Sequence, residues 1–195
     1  MTLFPTKATL LNSATGFKNC PSPLKKKTVS DFWQWGFSDL LQNTTRGILA
    51  EYIVAVLLGV DSKPRRPWEP FDLILNDGRT IEIKTMSRLQ AWAQKQLSTP
   101  RVDLSPKRYW SYDTNLMEKT PSLNADMYII CYFTAEDHST ANTMDLSQWQ
   151  FFVLTKNKVK EILKRTKSVS LKTLTNHNIT PLKAENLALE LAKID

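Results

Sequence analysis

Phe71-Asp72-Leu73-Ile74-Leu75-Asn76-Asp77-Gly78-Arg79-Thr80-Ile81-Glu82-Ile83-Lys84-Thr85 reads as a β-hairpin carrying two carboxylates and a lysine on one face. Phe71, Leu73 and Leu75 alternate with polar or smaller residues on the first arm. Ile81 and Ile83 alternate with Thr80, Glu82 and Lys84 on the second. This period of two marks strands with one buried face. Asp77-Gly78 supplies the turn, because glycine accepts positive φ without steric cost. A two-residue loop would set Leu73 against Glu82 and Asp72 against Ile83, which buries charge. A three-residue loop over Asn76-Asp77-Gly78 sets Leu73 against Ile81 and Asp72 against Glu82. A one-residue slip turns every side chain to the other face, so the apolar pattern selects the three-residue loop. Asp72, Glu82 and Lys84 are then expected to project together.

Two carboxylates facing each other across a strand pair repel, and a divalent cation between them removes the penalty. Mg²⁺ takes carboxylate and carbonyl oxygens and keeps several waters. With a lysine two residues on, this is a site for metal-assisted hydrolysis of a phosphodiester.

Asp-x9-Glu-x-Lys on a hairpin, after a helix carrying a lone Glu, resembles the PD-(D/E)XK nuclease superfamily. The resemblance implies an α/β, restriction-endonuclease-like fold: a mixed β-sheet core flanked by helices, of αβββαβ type. It implies that Asp72, Glu82 and the Ile83 carbonyl hold Mg²⁺, with Mn²⁺ as a substitute. Lys84 would orient or activate the attacking water, and Glu51 would bind metal through water or place a second ion. It further implies a DNA endonuclease of restriction type, working as a homodimer and leaving 5′-phosphate and 3′-hydroxyl ends. One departure is that Pro70 precedes Phe71 rather than the Asp, and a proline just before a strand is tolerated.

The 195 residues suit one domain. The expected division is a loop-rich basic arm over 1–29, a nuclease core over 30–155 and a basic helical extension over 156–195. The net charge of +7 is unevenly spread: residues 1–30 hold five lysines and no acid, 31–155 hold 12 bases and 15 acids, and 156–195 hold nine bases and four acids. Basic ends around an acidic centre suit a polyanion held across it, and equally suit a solvated surface. Cys20 and Cys131 differ in character, with Cys131 in an apolar run, so neither a disulfide nor a zinc site is expected and a cytoplasmic setting is the default. No stretch approaches transmembrane length.

In chain order, the arm holds Lys25-Lys26-Lys27 and is expected to be ordered by Leu3, Phe4, Leu10 and Leu11. Ser30 is expected to cap a helix over 31–41, with Phe32, Trp33, Trp35 and Phe37 in the core. A second helix starts at Asn43 or Thr44 and ends at Gly59. It is apolar nearly all round, which marks a buried helix, and Glu51 is its only acid. Glu51 has two readings, a metal-site ligand or an ion pair with an arginine. Gly47, one turn earlier, leaves room for a ligand, and Arg46 answers a phosphate or Glu51. Pro64, Pro67 and Pro70 make the next stretch an extended connection, in which Arg65, Arg66 and Trp68 reach for a phosphate backbone or simply line a surface loop.

After the hairpin, Ser87 is expected to cap a helix through Leu97. Some members of the superfamily place a Gln or basic residue there to hold phosphate, which carries over to Arg88 and Gln90. Val102 and Leu104 suit a short strand. Lys107, Arg108, Tyr109, Trp110 and Tyr112 interleave bases with aromatics, as nucleic-acid contact or a packed loop would. Residues 125–133 form a near-continuous apolar run, expected as a central strand, and 148–154 form another. A basic helix follows from Thr155 or Asn157, then a short extended piece at 169–171 and a closing helix over 181–192.

His138 and His177 have no nucleophile or acid at a telling spacing, and no glycine-rich phosphate loop is present. The rival classes are a structure-selective repair or junction nuclease and a non-catalytic DNA-binding protein that kept the fold.

Overall fold

The computed structural model describes residues 8–67, 69–111 and 115–194, so Leu3, Phe4, Trp68 and Tyr112 lie outside the described residues. Helix α1 (Val29–Phe37) is capped by Thr28, not by Ser30. The Thr28 hydroxyl accepts from the Asp31 N–H, and the Asp31 carboxylate accepts from the Thr28 N–H at 2.8 Å. Such reciprocal capping satisfies two orphan donors, and it moves the helix from the expected 31–41 to 29–37. The expected burial of its aromatics is also corrected. Phe32, Trp33, Trp35 and Phe37 are all exposed, Trp35 at 86%. They are spread around the helix rather than along one stripe, so no single face can bury them together.

Helix α2 (Asn43–Leu57) ends before Gly59, whose φ of +67° is the left-handed cap expected there. It buries Ala50, Ile53 and Val54 but exposes Tyr52 and Val56. The expectation of burial all round is therefore corrected to one broad face.

Strands β1 (Leu73–Ile74) and β2 (Thr80–Ser87) pair antiparallel with Leu73 opposite Ile81, the register read from the apolar pattern. Leu75 N–H donates to the Arg79 carbonyl at 2.8 Å, and Gly78 at φ +90° completes the three-residue loop. The first arm is shorter than expected because Asp72 leaves the regular ladder. Its N–H donates to the Ile81 carbonyl and its carboxylate accepts from the Ile83 N–H.

No helix forms over 87–97, against expectation. Ser87 ends β2, and the Gln94 side chain instead holds the loop, accepting from the Gln90 N–H at 2.7 Å and donating to the Arg88 carbonyl at 3.1 Å. A side-chain amide that satisfies backbone groups competes directly with helix formation. Strand β3 (Arg101–Asp103) is followed by the small hairpin of β4 (Trp110–Ser111) and β5 (Leu116–Met117).

Strand β6 (Met127–Phe133) is buried at all seven positions and lies parallel to β2. Burying one such side chain contributes about 1.5–3 kcal/mol, so this run anchors the sheet. Strand β7 (Trp149–Thr155) pairs antiparallel with β6, giving a mixed four-stranded sheet in the order β1-β2-β6-β7. Thr155 caps helix α3 (Lys156–Leu163), and β8 (Ser168–Ser170) pairs with β3. Helix α4 (Leu171–Asn176), absent from the reading of the sequence, follows a capping box of Ser170 and Thr173. The closing helix is α5 (Leu187–Leu191), shorter than the expected 181–192 because Ala184–Asn186 form a 3-10 turn.

One face of the sheet packs Ile81, Ile83, Ile129 and Phe133 against α2 and α5. The other packs Met86, Tyr128, Ile130 and Phe152 against β3, α3, β8 and α4. This is the expected mixed sheet flanked by helices. Residues 156–194 supply Val159, Ile162, Leu174, Leu187 and Leu191 to its two cores. Among the described residues, no helix is long and apolar enough to cross a membrane.

Candidate active site

Alternation along β2 turns Ile81 and Ile83 toward α2 and puts Glu82 and Lys84 on the opposite face. Lys84 Nζ donates to the Glu82 carboxylate, and both side chains are only partly exposed. Asp72 lies against the open edge of β2, where its Oδ2 accepts from the Ile83 N–H at 2.6 Å. Glu51 reaches the same centre from α2. Arg65 grips it by both nitrogens, with Nη2 to Oε1 at 2.8 Å and Nε to Oε2. Of the two readings of Glu51, the ion pair is present, and its partner is Arg65 rather than Arg46.

The electrostatics tie these groups into one cluster. Burial, then the charges of Glu82 and Glu51, push the Asp72 carboxyl up to about 7, against the pull of the Ile83 N–H and Lys84. For Lys84, burial works against the charge, but Glu82, Asp72 and Glu51 outweigh it and hold the ammonium above its ordinary pKa. The hydrogen bond from Arg65 to Glu51, with Asp72 nearby, raises the guanidinium pKa in the same way. Cys131 lies beneath, fully buried, and burial with the charges of Asp72 and Glu51 pushes its thiol up.

Among the described residues, no three His, Cys, Asp or Glu side chains are grouped to hold a metal ion. The pair Asp72 and Glu82 is the unit to test. Mg²⁺ needs only one or two carboxylates and completes its shell with water. An acid whose pKa is raised by burial and by its neighbours' negative charge is one whose ionised form a cation would stabilise. The oxygen-only donor set fits such an ion.

The remaining candidates divide. Lys107 and Arg108 line a cavity of about 130 Å³ that opens beside Glu82 and Lys84, together with Tyr109 and Tyr128. Lys107 is paired there with Asp103. Arg66 is turned outward to Glu69 at 3.6 Å, and Arg88 is bound to Glu136 at 2.5 Å, so neither joins the cluster. Arg46 is buried, donating to the Leu41 carbonyl at 2.7 Å and to Asn43 at 2.6 Å. Gln90 is buried beyond the end of β2, with Nε2 donating to the Ser87 carbonyl at 3.2 Å. Gly47 borders open space. Tyr128 escaped the sequence reading. It stands beside Glu82 through the parallel register, and burial pushes its phenol up to about 12. No local pattern could have placed it, because the pairing joins residues 46 apart.

A family model described as bacteriophage T4 endonuclease IV matches residues 34–173, a span that holds Glu51, Asp72, Glu82 and Lys84. The chain is also similar to the solved structure of a bacterial homing endonuclease, I-Ssp6803I, at 13% identity over 66% of this chain and 76% of that one, with a TM-score of 0.37. No curated protein matches the chain.

Proposed function

We propose that this chain, which belongs to the bacteriophage T4 endonuclease IV family, is a metal-dependent DNA endonuclease of restriction type and PD-(D/E)XK chemistry. The observation that carries this reading is the pair of Asp72 and Glu82 with Lys84 at one sheet edge, where burial, and then the charges of Glu82 and Glu51, push the Asp72 carboxyl up to about 7. Asp72, Glu82 and the Ile83 carbonyl would hold Mg²⁺ or Mn²⁺, which supplies Lewis-acid polarisation of the phosphate and a more acidic water. Asp72 must give up its proton to act as a ligand. Lys84 stays protonated, positions the attacking water and stabilises charge on the phosphate. Glu51, steadied by Arg65, supports the acidic side of the cluster. Lys107 and Arg108 border the adjoining cavity, where they suit the flanking DNA backbone. Cutting both strands symmetrically calls for two copies, so a homodimer is part of the proposal.

The test is cleavage of supercoiled and phage DNA with Mg²⁺ or Mn²⁺, against an EDTA control, Glu82→Ala and Lys84→Ala. Discrete bands that need metal, Glu82 and Lys84 are expected, with the variants' folds intact by circular dichroism. A metal-dependent smear would favour a structure-selective nuclease. An unchanged rate in Glu82→Ala would remove this site from the reaction.

A further inference from the structure

Beyond the acidic cluster, the end of β2 and the first turn of α2 enclose a second cavity, of about 320 Å³. Three buried side-chain atoms have no hydrogen-bond partner among the described residues: Arg46 Nε, Ser87 Oγ and Gln90 Oε1. All three residues line this one cavity, and they are only 3%, 4% and 7% exposed. An orphaned buried polar group is costly to leave unsatisfied. Three orphans around one space therefore describe a site for a polar ligand rather than a packing fault.

The lining decides which ligand. Arg46 and Arg101 bring two positive charges, Ser87 and Thr99 bring hydroxyls, and no carboxylate lines the cavity. Arg46 Nε can only donate, whereas the hydroxyls can turn to donate. Gln90 Oε1 is an orphan acceptor, fixed in place because Nε2 donates to the Ser87 carbonyl at 3.2 Å, and it takes a bridging water beside the anion. Helix α2 adds the positive end of its dipole, since Asn43 and Arg46 sit in its first turn and its N-cap residue, Gln42, makes no side-chain cap. A cationic, donor-rich, half-enclosed space suits an anion, and for a DNA endonuclease the abundant anion is the backbone phosphate.

We infer that this cavity binds one DNA backbone phosphate away from the scissile bond, with Arg46, Ser87 and Arg101 as its contacts. The inference rests on the endonuclease reading for the source of the phosphate, though not for the anion site itself. Glu82 and Ser87 are five residues apart on β2, roughly 16 Å along the strand, and the odd spacing turns them to opposite faces of the sheet. The pocket therefore holds a phosphate well removed from the one on which the acidic cluster acts.

The test uses the full chain in EDTA with two probes. Inorganic phosphate is titrated calorimetrically, and a duplex is titrated by fluorescence anisotropy. The variants are Ser87→Ala, Arg101→Ser and the control Lys84→Ala, with melting curves to confirm folding. Arg46, being buried, is left in place. Saturable phosphate binding that Ser87→Ala and Arg101→Ser each weaken about tenfold, and Lys84→Ala does not, is expected. Both pocket variants should weaken the duplex similarly, with Arg101→Ser lowering the salt slope by about one. Phosphate binding lost only in Lys84→Ala, or absent altogether, would overturn the anion site. Phosphate binding with an unaltered duplex affinity would overturn the DNA assignment. Phosphate binding in a chain that binds no DNA would keep the anion site and remove the endonuclease reading.

Discussion

Asp72 sits where burial and two neighbouring carboxylates all oppose its charge. The folded chain therefore holds the Asp72 proton more tightly than the unfolded chain, where the group titrates near its ordinary 3.8. A raised carboxyl pKa reverses the usual sign: its penalty is absent at low pH, grows as pH rises from about 4 and is complete above about 7. The full penalty is on the order of a few kcal/mol. Asp72→Asn keeps the shape and removes the charge. The variant should melt higher than the parent at about pH 8, and the gap should close toward pH 4, as followed by thermal unfolding without metal. A variant that melts lower at pH 8 would mean that Asp72 is already compensated. The position of Asp72 was legible from the apolar pattern of Leu73, Ile81 and Ile83, whereas its ionisation depends on burial first, then on Glu82 and on Glu51, 21 residues earlier on another element.

Among the elements, α1 departs most from its reading. Aromatic density alone placed Phe32, Trp33, Trp35 and Phe37 in the core, but none of residues 8–39 is buried. Burial of a helix needs its apolar residues on one stripe, and this short helix spreads them around its axis. Trp35→Ala should therefore change stability by no more than about 0.5 kcal/mol in urea unfolding. Iodide quenching of tryptophan fluorescence should fall in that variant. A loss of several kcal/mol would place Trp35 in a packed environment. The loop over 87–97 teaches the same lesson in reverse. Ser87 as a cap and the run through Leu97 suggested a helix, but the Gln94 amide closes a loop on Gln90, Arg88 and Ser98. The β1–β2 turn, by contrast, was readable because Gly78 must take a φ that other residues avoid.

At the scale of the molecule, the two basic ends flank a middle segment that carries 15 of the 19 acids. If DNA lies across the chain against those ends, its affinity should fall steeply with salt, by about a factor of ten or more between 50 and 200 mM for several phosphate contacts. A flat salt response in a filter-binding assay would assign the terminal lysines to solvated surface. The local sequence by itself determined the strand period, the hairpin register, the extent of α2, the buried run of β6 and the spacing of Asp72, Glu82 and Lys84. These follow from side-chain alternation, glycine geometry and apolar runs, all of which act within a few residues. Only the tertiary structure decided that Arg65 answers Glu51, that Tyr128 stands beside Glu82, that α1 stays outside the core, and that Arg46, Ser87 and Gln90 meet around one cavity. Partner choice and burial depend on segments brought together from far along the chain, and no short-range pattern encodes which segment arrives.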